Sequence, residues 1–311
     1  MERTAQRLVV ENLLSSTAGR HWFGDGRPTW LEGPNDDQPS MSRQRAKEQQ
    51  LKDIKILRRH CKRNRHGLRL ADIIETCEED HRCLSGACIE RNRAVQRLFV
   101  ESSESLFHKS AISVSAVSIV FRRAWIPQGR LINQSDLFEP LSHRLRKALE
   151  AAGIRQAFGG FDVSANEHAR GGFSTHYRPH AYIFIPTTQF KRAERRFRTF
   201  FPASSTVRRP VVAHDFDGRR KGLAYALKRD FQRRVTLPRQ RLSNGSVKRR
   251  NTRDRPLRAL QKVELGLALH RLGLGARLFL HGLQIVPACA KLRIVRSSSE
   301  PSRKRNASRS R

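Results

Sequence analysis

Residues 156–186 read QAFGGFDVSANEHARGGFSTHYRPHAYIFIP, two apolar runs on either side of ARGGFS. Small and turn-forming residues at the centre, with alternating runs outside, predict two antiparallel strands joined by a turn. In a strand, alternate residues share a face. Asp162, Ser164, Asn166 and His168 would therefore line one face of the first strand. On the second, His176, Arg178, His180 and Tyr182 would point one way and Ala181, Ile183 and Ile185 the other. Pairing the strands brings an acid, an amide and an imidazole onto one sheet surface, a nitrogen and oxygen ligand set that suits Mg²⁺ or Mn²⁺. The plainer reading is a strand histidine beside apolar neighbours.

Working outward, VSAVSIVF at 114–121 has the β-branched content of a strand, and PLSHRLRKALEAAG at 140–153 reads as a helix ended by Gly153. After the hairpin, TTQFKRAERRFRTFF is an amphipathic helix with Phe190, Ala193, Phe197 and Phe201 on its stripe. RPVVAHDF then predicts a fourth strand and RKGLAYALKRDFQRRV a further helix. The order β-α-β-β-α-β-α predicts an α+β fold, an antiparallel sheet with helices on one face and the other face open for binding.

This core, 111–238, has basic flanks. Residues 1–45, rich in Gly, Pro and Asp, read as a loosely ordered leader; 46–110 is a basic helical segment that contains four of the five cysteines. Residues 239–296 hold a basic loop and a helix marked by Leu257, Leu260, Val263 and Leu267, ending at Gly273 and Gly275. The Arg/Ser tail 297–311 reads as disordered. Sixty-two Lys and Arg against 28 Asp and Glu leave a formal charge of +34, a self-repulsion that a polyanion relieves, and nucleic acid is the commonest polyanion. No apolar run reaches membrane-spanning length and no charged-then-apolar secretory signal opens the chain, so the expected location is the cytoplasm, with no membrane partner. Nothing in the sequence sets an oligomeric state.

The chain has three tyrosines, and Tyr225 lies three residues before Lys228, one helical turn away. An ammonium at that distance favours a phenolate, and a phenolate can attack a phosphodiester and keep its bond energy in a phosphotyrosine link. A half-buried aromatic beside a surface lysine gives the same spacing. The strand AVSIVF, the acidic strand GGFDVSANEH, the strand RPHAYIFIP and the helix AYALKR, in that order, resemble the first strand, the motif-two hairpin and the tyrosine helix of the HUH endonucleases. These are rolling-circle replication initiators of plasmids and phages, with transposase and relaxase relatives. The resemblance spans about 113–235. It implies a ferredoxin-like sheet and a metal-assisted nick in single-stranded DNA that leaves a 5′-phosphotyrosyl enzyme. It makes His180 the first metal-binding histidine, Asp162 the acidic residue of the preceding strand, Tyr225 the nucleophile and Lys228 the lysine of its helix. Tyr182 stands where the second histidine belongs, and a phenol of pKa about 10 is a poor ligand at neutral pH. Either His168 or His176 substitutes, or metal binding is weak, or cleavage has been lost.

The segment CEEDHRCLSGACIERNR resembles the small zinc-binding element that precedes the catalytic domain in some such initiators. Cys77, Cys83 and Cys88 lack the fourth ligand that a closed Zn²⁺ site needs, for which His81 and Cys61 are candidates; free thiols are the alternative. For nucleic-acid contact the candidates are Lys191, Arg192, Arg195, Arg196 and Arg198 along a phosphate backbone, with Phe173, Tyr177 and Tyr182 stacking on unpaired bases. A non-enzymatic module using the same sheet, as RNA-recognition domains do, and a degenerate mobile-element remnant are the other readings.

Overall fold

The computed structural model describes residues 42–77, 83–108, 112–122, 124–134, 136–238, 252–288 and 291–297. The expected leader, nearly all of the basic tail, the middle of the basic loop and His81 lie outside them.

Three helices, α1 (Arg43–His60), α2 (Arg65–Glu75) and α3 (Ile89–Ser103), precede the sheet. The side chains of Ser42 and Asn64 cap α1 and α2 by accepting from the first free backbone N–H groups. Then come β1 (Val114–Val120), a two-residue β2 (Ile126–Pro127), α4 (Glu139–Ala151), β3 (Ala157–His168), β4 (His176–Pro186), α5 (Thr187–Thr199) and β5 (Val211–Asp215). The chain finishes with α6 (Arg220–Tyr225), β6 (Gln232–Thr236), β7 (Thr252–Pro256), α7 (Ala259–Leu272), β8 (Leu278–His281), β9 (Leu283–Ala288) and β10 (Lys291–Arg296). The architecture is α+β, with seven α-helices among the described residues, none long and apolar enough to cross a membrane.

The main sheet runs β5-β1-β4-β3-β6-β7, with β2 on the outer part of β4 and β8 on the first part of β3. It differs from the expected antiparallel sheet because β6 pairs with β3 in parallel. The stretch read as one helix from 220 to 235 is a six-residue helix, a turn and a strand. Its apparent stripe of Leu223, Leu227 and Phe231 cannot lie on one helix face. The two leucines enter the core on one side of the sheet and Phe231 packs against the core on the other.

Both faces of the sheet carry helices, a second departure from expectation. On one, α4, α5 and α7 pack Leu145, Leu149, Phe190, Phe197 and Leu269 onto Val117, Phe161, Ala181 and Ile183. On the other, α3 and α6 pack Leu98, Phe99, Leu223 and Leu227 onto Phe158 and Phe184. That cover is partial. From Tyr182 back to His176 the even-numbered residues of β4 stay half-buried while their odd-numbered neighbours are buried. The open surface therefore begins where α6 ends.

The expected C-terminal helix is present as α7, ended by Gly273 at φ +82°. Leu260 of its expected stripe is exposed; the helix instead buries Gln261, Glu264, Leu265 and Ala268. Glu264 accepts from the Tyr177 hydroxyl at 2.9 Å and from Leu131 N at 2.8 Å, which ties α7 to the hairpin.

Candidate active site

Asp162 and His180 are directly paired across β3 and β4, so their side chains emerge together on the open face. His180 Nε2 lies 3.2 Å from Asp162 Oδ2. Lys228 Nζ lies 3.0 Å from the same oxygen and donates to the Tyr225 hydroxyl at 3.4 Å, with its ammonium 4.8 Å from the centre of the Tyr225 ring. Arg277, buried beneath, approaches Asp162 Oδ1 at 3.8 Å and donates to the carbonyls of Phe161 and Lys228. The Tyr225 side chain is about half exposed. The residues singled out in sequence as nucleophile, lysine, acid and histidine thus form one chain of contacts, Tyr225–Lys228–Asp162–His180.

Local sequence explains the placement. A Cβ on Gly160 would meet Ala226 O at 2.4 Å and Leu227 Cδ2 at 2.5 Å, so only glycine lets the turn after α6 rest on the sheet. Buried Gln96 of α3 donates to Ala224 O at 2.8 Å and holds α6 from above.

Burial alone would push the Asp162 carboxyl up, but His180, Lys228 and Arg277 hold it well below the usual carboxylate range. Burial pulls on Lys228 in the opposite sense, yet Asp162 and Tyr225 leave it above its ordinary value, a fixed ammonium at neutral pH. Tyr182, opposite Gly160 on β3, is pushed up to about 12, first by burial and then by Tyr225 and Asp217, and stays a neutral phenol.

Neither candidate substitute for the second histidine reaches this cluster. His176 is four residues along β4, its Nδ1 on Ser174 O. His168 lies at the end of β3, where its Nδ1 accepts from Arg170 N and Gly172 N and so caps the turn. The imidazole nearest Tyr182 is one that sequence reading missed, His214 of β5, whose Nε2 is 3.3 Å from the Tyr182 hydroxyl. Alternation places His214 on the open face of its strand, but only the sheet order shows that this strand lies near Tyr182. Arg277 gave no sequence signal.

These donors do not fit a divalent ion. One carboxylate already carries an ammonium and a guanidinium, and the one imidazole at hand is paired to that same carboxylate. Among the described residues, Cys77, Cys83 and Cys88 form the group of three ligand atoms close enough to share a metal ion. The expectation of Mg²⁺ or Mn²⁺ on Asp162, His180, His168 and His176 therefore finds no support in the geometry.

The thiol cluster does fit a metal ion. Its sulfurs lie within 4.8 Å of one another, and those of Cys77 and Cys88 are 3.7 Å apart. A tetrahedral ion with bonds of about 2.3 Å separates its sulfurs by about 3.8 Å. Hydrogen bonds from the Cys83 and Cys88 thiols draw Cys77 down towards thiolate, helped by Arg91, whose Nε donates to it at 3.2 Å. Gln50 of α1 braces the loop, accepting from Ile89 N and donating to Ile74 O. Cys61 is not in the triad; it packs on the start of α2, where a Cβ on Gly67 would strike its sulfur at 2.2 Å.

The arginine helix lies across the sheet from this site. Phe190, Ala193 and Phe197 of α5 belong to the core on the far face, so Lys191, Arg192, Arg195, Arg196 and Arg198 are exposed away from Tyr225. Arg198 is engaged locally by Glu194 and Val211 O. Of the aromatics proposed to stack on bases, Tyr177 is buried and bonded to Glu264, whereas Phe173 and Tyr182 reach the open face.

Neither family models nor curated proteins nor solved structures give a match to this chain. Functional reading therefore rests on the site's chemistry.

Proposed function

We propose that this protein binds single-stranded DNA on the open face of its sheet and transfers a phosphodiester to Tyr225, as the resemblance to HUH endonucleases implies. The observation that carries the reading is the position of Lys228, donating to the Tyr225 hydroxyl while paired to buried Asp162. The strand order β5-β1-β4-β3, antiparallel throughout, supports a ferredoxin-like core.

In the reaction the Tyr225 oxygen bonds to phosphorus as the bond to the 3′-oxygen breaks. The phenolic proton leaves to solvent, to which the side chain is open, and the departing oxygen collects one. The products are a 5′-phosphotyrosyl protein and a free 3′ hydroxyl, with no change of oxidation state. Lys228 offsets the charge that gathers on the phosphate, and Asp162 with His180 keeps its ammonium aimed. No step requires a divalent ion. The thiol triad is a structural Zn²⁺ site in this reading, completed by a fourth ligand from outside the triad, and it sets the base from which α3 reaches over α6.

Incubating the protein with end-labelled single-stranded oligonucleotides, with Mn²⁺ and with chelator, tests the central claim. The expected result is a covalent adduct on denaturing gels that Tyr225→Phe abolishes without lowering the melting temperature. Binding without an adduct under any condition would leave a non-catalytic module on the same sheet. For the thiols, mercurial titration should release one zinc per chain from the wild type and none from Cys77→Ala.

A further inference from the structure

Beyond the tyrosine cluster, the open face continues along β4 to a second group of residues. β2 pairs Ile126 with Tyr177 and Pro127 with His176, which sets Trp125 beside Arg178 and on its face of the sheet. The Trp125 ring is 5.9 Å from that of His176, edge on, and its side chain is 55% exposed. Phe173, in the turn between β3 and β4, has its ring 5.4 Å from both His176 and His168 and is also exposed. Four rings thus make a continuous row, Trp125–His176–Phe173–His168, with its two large apolar members open to solvent.

Arg178 stands between this row and the Asp162–His180 pair. Its Nε is buried with no hydrogen-bond partner, and among the described residues no carboxylate pairs with its guanidinium. Lys228 and Arg277, by contrast, share the carboxylate of Asp162. An unpaired guanidinium taken partly out of water is a standing loss of free energy that a bound anion would reverse. Exposed rings flanking an unpaired guanidinium on a strongly cationic chain match single-stranded nucleic acid, whose bases stack and whose phosphates accept.

We propose that Arg178 and the aromatic row form a flanking subsite that holds single-stranded DNA next to the Tyr225 site, Arg178 taking a phosphate and Trp125 stacking on a base. His176 lies four residues from His180, about 13 Å along the strand. That distance admits the nucleotides neighbouring the scissile phosphate. The choice of ligand rests on the function proposed above; the residues and their geometry do not.

Replacing Trp22 and Trp30 with Phe leaves Trp125 the one tryptophan in the chain and makes its emission a direct reporter. A labelled oligothymidylate is the probe, with anisotropy reporting affinity. The expected result is quenching of Trp125 on binding. Trp125→Ala should weaken binding about 5–30-fold and Arg178→Ala about tenfold, while Trp125→Phe, which keeps a ring, recovers most of the loss. All three variants should melt as the parent does. If the oligonucleotide binds with Trp125 emission unmoved and both alanine variants bind normally, the subsite is refuted whatever Tyr225 does. If Trp125 is quenched but no covalent adduct ever forms, the subsite stands and nicking falls. Absence of any oligonucleotide binding overturns both.

Discussion

Strand β3 buries two carboxylates on its opposite faces, and they have different surroundings. Glu167 faces α7, where Arg233 at 2.8 Å, Arg258 at 3.1 Å and Gln261 at 2.6 Å close around it. Asp162 faces the open side and is held by His180, Lys228 and Arg277. Both are saturated by donors, so charge pairing alone does not distinguish a site from a brace. The difference is what lies one contact further out. Beyond the Glu167 partners are the β6–β7 pair and the start of α7; beyond Lys228 is an exposed phenol. A buried carboxylate signals chemistry when one of its partners also reaches a reactive group open to solvent.

Breaking each array separately tests that contrast. Asp162→Asn should produce the largest change, lowering the rate of adduct formation about 100-fold with a stability loss of about 3–5 kcal/mol in urea denaturation, because the buried Arg277 guanidinium loses its counter-charge. Glu167→Gln should cost less, about 1–3 kcal/mol, because the side chains of Arg233 and Arg258 remain in reach of water, and should leave adduct formation per folded molecule as in the wild type. Oligonucleotide binding per folded molecule should not change. Equal stability losses with unaltered adduct formation would erase the distinction between the two carboxylates.

Asp162 also predicts an acid limb. A carboxyl held low in the fold contributes stability that is complete above its unfolded pKa, about 4, and is lost as pH falls from there towards the folded value. Wild-type stability measured by denaturant titration should therefore decline below about pH 4, and Asp162→Asn should flatten part of that decline. The smallest effect belongs to α5. Replacing Arg192 and Arg195 together with Ala should change oligonucleotide affinity less than about threefold, because both lie across the sheet; a larger loss would move the binding surface to that face.

The hairpin and the residues facing its open side were legible because alternation is a local property and one face of the sheet is buried. Asp162 and His180 could be placed together from sequence for that reason. The short helix at Tyr225 was read too long because Phe231 continues a four-residue spacing although it packs on the other side of the sheet. β7, TRDRP, is exposed at every position and has no apolar alternation to detect. His214 and Arg277 join the site only through long-range pairing, which periodicity cannot report. Trp125 lies just before a two-residue strand too short to leave a pattern.

The pairing of β8 with the first residues of β3 bears on how the chain is made. Ala157, Phe158, Gly159 and Gly160 take their partners on this side from Leu278–His281, which leaves the ribosome well after the residues of the hairpin. Until then an apolar strand edge stands open in the nascent chain, able to template pairing with a neighbour. A chain stopped after residue 238 would retain that edge permanently and would also lack Arg277 and Glu264. Such a fragment should self-associate, although every residue of the tyrosine–lysine–aspartate–histidine relay is present in it.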